Sequence, residues 1–165
     1  MGLRLFYRKD YLAMYTVFDV ANWFLQKEPM THKKLQKLCY YAQAWHCALC
    51  DGTPLIDGSF EAWVHGPVNR ELWNRYKNFM PWENITLDNS TQNTINGADV
   101  SFMESVWATY GELKDYELEA LTHREKPWLI ARGDLGSDRI CTNLISNKEM
   151  QDYYLSIYIG DGRGE

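Results

Sequence analysis

The 165-residue chain lacks any apolar run approaching the ~18 residues that a membrane-spanning helix needs. Its first ten residues interleave Arg4, Arg8 and Lys9 with apolar side chains, so they do not form the continuous apolar middle of a secretion signal. Basic charge is scarce as well. Seventeen Lys and Arg face 22 Asp and Glu, giving a formal net charge of −5. Binding a phosphate backbone needs concentrated cations. The only basic cluster, Lys33, Lys34 and Lys37, reads as the solvated face of one helical turn. Direct binding to nucleic acid or to a membrane is therefore not expected. A cytoplasmic location is, and in that compartment Cys39, Cys47, Cys50 and Cys141 are thiols.

Complete catalytic constellations are missing too. There is no Gly-x-Ser-x-Gly, no phosphate-cradling glycine loop and no His-Glu-x-x-His. Cys47-Ala-Leu-Cys50 has the spacing of a metal or redox pair, but a structural zinc site usually needs a second such pair. The pair also falls at the C-terminal end of a helix, where the dipole disfavours a thiolate. Buried, inert cysteine is the preferred reading, and no metal, cofactor or catalytic residue is expected.

Apolar and aromatic residues, by contrast, are plentiful. Hydrophobic residues make up 45% of the chain, enough for a core, and the 7 Trp and 11 Tyr exceed what a core of this size must have. Such side chains also anchor protein interfaces. Their periodicity predicts a mainly α, single-domain fold of about six helices, with a minor β element near residues 60–64.

Val17, Val20, Ala21, Phe24 and Leu25 line one face of a helix from Tyr15 to Lys27, which Glu28-Pro29 ends. Thr31 caps a second helix, with Leu35, Leu38, Cys39, Ala42, Trp45, His46 and Leu49 as its stripe and Asp51-Gly52 as its stop. Phe60 to Val64 reads as a short strand broken by His65-Gly66-Pro67. Pro67 is placed in the first turn of a third helix carrying Leu72, Trp73 and Tyr76. Pro81 to Gly97 is a polar loop with at most a few residues of strand. Ser101 with Glu104, and Ser146 with Glu149, have capping-box spacing and open a fourth and a last helix. Asp115 caps a helix from Tyr116 to about Arg124, and a short helix spans Trp128 to Arg132. Residues 1–13 are expected to be an extension, 14–159 the helical domain and 160–165 a flexible tail.

Three segments combine aromatic, small and polar residues more tightly than packing requires. They are Leu35 to His46, Phe60 to Val68 and Leu121 to Trp128. With Met14 to Leu25 and Ile145 to Tyr154, they resemble the Panacea or SocA-like antitoxin domain family, also described as phage-associated GepA-like proteins. The resemblance rests on Met30-Thr-His-Lys-Lys-Leu-Gln-Lys-Leu-Cys-Tyr-Tyr-Ala-Gln-Ala-Trp-His46, Glu61-Ala-Trp63, Gly66-Pro-Val68, Leu121-Thr-His123 and Pro127-Trp128, in that order. Asn69-Arg70 stands where the family often has a further proline, which leaves the start of the third helix open. The resemblance implies a helical domain of bacterial genomes and prophages. It also implies an antitoxin that neutralises a toxic protein by binding it. One branch is associated with delivering the toxin to a protease, so a protease is a further candidate partner. The family supplies no agreed catalytic residues.

Trp63, His65, Trp73 and Trp128 lie at turns or helix starts, where a side chain can reach outward, and are the candidate partner contacts. Gly66, Pro67, His46 and His123 are read as structural. Two rival readings stay open. One is a phage-associated regulatory or structural protein without a toxin partner. The other is a small hydrolase or metal-dependent enzyme using His46, His123 and the cysteines.

Overall fold

A computed structural model describes residues 14–87 and 90–162, without the side chains of 161 and 162. The expected extension, residues 1–13, lies outside the described residues.

The helix α2 (His32–Leu49) is the axis of the molecule. From Leu38 to Leu49 its only strongly polar residues are Gln43 and His46, so it has no side to turn to water. Every residue from Leu35 onward is buried. Thr31 caps it, accepting from the Lys34 amide. Asp51 (φ 52°) and Gly52 (φ 80°) turn the chain away at its end. Around α2 pack α1 (Val17–Lys27), α3 (Arg70–Tyr76), α4 (Ala98–Tyr110), α5 (Asp115–Thr122) and α7 (Asn147–Gly162), with α6 (Lys126–Arg132) resting on α7. This is the mainly α fold the periodicity predicts, with seven helices among the described residues.

Two small antiparallel pairs complete it. β1 (Met30–Thr31) pairs with β4 (Asn84–Ile85) inside the polar loop, and β2 (Glu61–Trp63) pairs with β3 (Gly66–Val68). On its other side β2 meets the chain at Leu144, through Ala62 N to Asn143 O and Ile145 N to Phe60 O.

Several sequence expectations give way here. Pro67 is a strand residue paired with Ala62, and Asn69 caps α3 by accepting from the Leu72 amide. Pairing to β2 has taken the place of the proline-led first turn. α4 begins at Ala98 after Gly97, one turn before Ser101, and no side chain caps it. Lys114 stands at the cap of α5 and Asp115 is its first residue. Ser146 does accept from the Lys148 and Glu149 amides. α7 continues to Gly162, past the expected end at 159.

Candidate functional site

The β2–β3 hairpin is where the partner candidates meet. Strand alternation sends Ala62 into the core and turns Glu61 and Trp63 toward the surface. Val64 and His65 form the turn. Gly66 takes φ +101°, a region that disfavours side chains, and a Cβ there would stand 2.6 Å from Lys37 Cε and 2.9 Å from Thr122 Oγ1. The strand is thus pressed against α2 and α5.

Four side chains, from α2, α6 and the end of α5, hold this hairpin by its backbone. Trp128 Nε1 donates to Trp63 O (2.9 Å), Arg132 Nη1 to Ala62 O (2.8 Å) and Lys37 Nζ to Pro67 O (3.1 Å). His123 is hydrogen-bonded to the backbone of Val64. At the tip, His65 Nδ1 lies 3.1 Å from Glu119 Oε1, which also pairs with Lys33 at 3.1 Å.

Lys37 overturns the solvated-face reading: it is 1% exposed. Burial is the main cause that pushes its amine down to about 7. Lys33 adds to the shift, while Glu119 and Asp115 oppose it. His32 is partly buried beside Gln36 and Tyr76. Burial, and then Lys37, push it down to about 4. Burial also lowers His123.

On the outer side of the hairpin lies a groove of about 370 Å³, walled by Trp63, His65, Val68, Arg70, Ile140 and Cys141. The half-buried rings of Trp63 and Trp73 meet edge to face at 5.4 Å. The Arg70 guanidinium lies 5.2 Å from the Trp63 ring and is held by Glu61 at 3.0 Å. His65 is 72% exposed at its side chain. In the groove wall Ile140 is 88% exposed, and Leu144, further along the same segment, is 62% exposed. The fold therefore brings together Trp63, His65 and Trp73.

Trp128 does not join them. Its ring is 3% exposed, stacks on His123 at 4.2 Å and receives the Arg132 guanidinium at 4.9 Å. The helix start that was expected to turn it outward instead packs it beneath the hairpin.

His46 is buried elsewhere, with Nδ1 2.6 Å from Thr53 O and its ring edge-on to Phe102. The four cysteines are buried and form no disulfide with one another, and burial pushes the Cys47 thiol up to about 12, far from a reactive thiolate. Among the described residues no group of three or more His, Cys, Asp or Glu is placed to hold a metal, and no helix is long and apolar enough to cross a membrane.

Sequence reasoning missed Lys37, Glu119, Glu125 and Arg132. For Lys37 a signal was present, since it sits one turn before Tyr41 on a helix with almost no polar face. Glu125 Oε1 accepts from the Tyr41 (2.6 Å) and Tyr154 (2.9 Å) hydroxyls, and burial pushes the carboxyl up to about 7. These partners come from α2 and α7, far away in sequence.

The SocA-like antitoxin family, Panacea domain, matches residues 35–129. The chain belongs to this family. The match runs from the buried part of α2, through the hairpin, to Leu129 in α6. The chain is also 28% identical to Antitoxin SocA of Caulobacter vibrioides (strain NA1000 / CB15N) over 171 residues, covering 88% of each protein. No solved structure matches it. Within this Panacea domain, Lys37, the hairpin and the Leu121–Trp128 segment form one connected unit.

Proposed function

We propose that this chain is an antitoxin that neutralises a cognate toxic protein by direct binding, through the outer face of the β2–β3 hairpin. The family and the likeness to an antitoxin over most of both chains support the first part. One observation carries the second: Trp63 and His65 of the hairpin line an apolar groove together with Ile140, from about 75 positions further along the chain, while Trp73 packs against Trp63 and Leu144 is exposed nearby. Paired indoles with an arginine over one of them are the kind of anchor that supplies most of an interface's affinity. The action is occlusion of the toxin rather than chemistry on it.

Co-expression with the toxin encoded by a neighbouring gene tests this reading. Growth rescue and a stable complex are expected, and Trp63→Ala with Trp73→Ala should abolish rescue while the variant remains folded. Full rescue by that double variant would move the interface elsewhere. Failure to bind any neighbouring gene product would remove the antitoxin reading. Delivery to a protease is a separate step: if it operates, rescue needs the host protease, whereas occlusion alone works without it.

A further inference from the structure

Lys37 is a buried amine with one acceptor. Its Nζ donates to Pro67 O at 3.1 Å, and the side chain is 1% exposed. An ammonium has three donors, and here no carboxylate lies within ion-pair distance of it among the described residues. Glu119, the strongest opposing charge, has its Oε1 3.1 Å from Lys33 Nζ and 3.1 Å from His65 Nδ1. Asp115, on the same helix, accepts from the Thr31 hydroxyl. The remaining titratable neighbours are His32 on α2, His123 beyond α5 and His65 on the hairpin. Burial holds the first two down, which favours their neutral form, and no histidine can serve as a counter-charge to an ammonium.

The strand above Lys37 is short and touches it directly. Gly66 leaves no room between its Cα and Lys37 Cε, so lifting the hairpin uncovers the amine to water. A charged amine gains hydration from that movement, whereas a neutral one keeps its single hydrogen bond and gains little.

We propose that Lys37 is a proton-sensitive latch: protonation of its buried amine favours a local lifting of the β2–β3 hairpin, and deprotonation closes it. The same hairpin carries Trp63, His65 and Val68, so the latch governs the groove. That consequence rests on the proposed toxin-binding role, but the latch itself does not.

The linkage has a definite sign. The closed state holds the amine at about 7 and the open, hydrated state at the ordinary 10.5. Closure is fully favoured above 10.5 and weakens about tenfold per pH unit on the way down, levelling off below about 7. Amide exchange chemistry itself accelerates about tenfold per pH unit, and the observed rate is the product of opening and chemistry. Across pH 7–9.5 the two dependences cancel for any amide freed by this lifting.

Hydrogen–deuterium exchange of the purified full chain across pH 7–9.5 tests the latch without any toxin. Peptides covering residues 60–68 are expected to exchange at a nearly constant rate, while locally opening peptides elsewhere accelerate about tenfold per unit. In Lys37→Met, which keeps the length and removes the titrating group, the hairpin should regain the ordinary acceleration. A wild-type hairpin that already accelerates tenfold per unit would overturn the proposal, whatever the variant does. So would a flat profile shared at one rate by α1, α2 and α4, because Lys37 would then report only global unfolding. A flat hairpin profile that persists in Lys37→Met would assign the proton to another group and also overturn it. Loss of toxin binding in Trp63→Ala bears on the interface alone and leaves these outcomes unchanged.

Discussion

Gly66 has two reasons to be glycine, and only one is visible in the chain. A bend before Pro67 argues for unusual backbone angles, and φ +101° meets that expectation. The second reason is Lys37 Cε, which stands 2.6 Å from where a Cβ would be. Gly66→Val is therefore expected to destabilise by at least the ~1–3 kcal/mol typical of a strained residue, read as a lower denaturation midpoint. An unchanged curve would mean that the turn relaxes freely. The tryptophans divide at the same scale. Trp128→Ala empties a buried site and should cost about 3–5 kcal/mol. Trp63→Ala and Trp73→Ala remove half-buried rings, so they should lower stability less and partner binding more. Comparing the thermal midpoints of the three variants checks the ranking. Sequence position alone put all three at turns or helix starts. Which of them points inward depends on Trp63 O, the acceptor that Trp128 Nε1 reaches across 65 residues.

The segment after α6 shows how one element fixes another. Gly133 to Thr142 is legible as a loop from its composition, and the structure agrees. What holds the loop is Arg132, buried at the end of α6, with its guanidinium on the carbonyls of Ala62, Gly136 and Arg139. Carbonyls carry no sequence signature, so this anchoring could not be read in advance. The loop supplies Ile140 and Cys141 to the groove wall. Arg132→Met is expected to cost about 2 kcal/mol, the scale of a hydrogen bond made by a charged donor. It should also make the loop the first site of cleavage in limited proteolysis. If cleavage stays at the wild-type sites and rate, Arg132 does not hold the loop.

Across the whole molecule, two buried ionisable groups pull stability in opposite directions. Lys37 has its amine depressed to about 7, so its contribution is complete above 10.5 and is lost as pH falls to about 7. Glu125 has its carboxyl raised to about 7 by burial, so its contribution is complete below 4.5 and is lost as pH rises through about 7. Near neutrality both are largely lost. Denaturant midpoints between pH 5 and 9 are expected to dip near 7. Glu125→Gln should raise the alkaline arm most, because the amide oxygen still accepts from Tyr41 and Tyr154 without the charge. Adding Lys37→Met should raise the acid arm and flatten the profile. A wild-type profile already flat from 5 to 9 would show that neither group is linked to unfolding as described.

The chain by itself determined that the protein is mainly helical, where most helices begin and end, and that it resembles the Panacea family. Those properties rest on local periodicity, caps and ordered motifs, which neighbouring residues carry in full. The tertiary structure alone decided which side chains are wrapped on every side. Lys37 left the solvated-face reading because α5 and β3 close over it, and Trp128 turned inward because the hairpin backbone offers it an acceptor. It also decided that Trp63 and His65 share one groove with Ile140, with Trp73 packed against Trp63. That gathering depends on contacts between residues up to about 80 positions apart, and no spacing along the chain encodes such contacts.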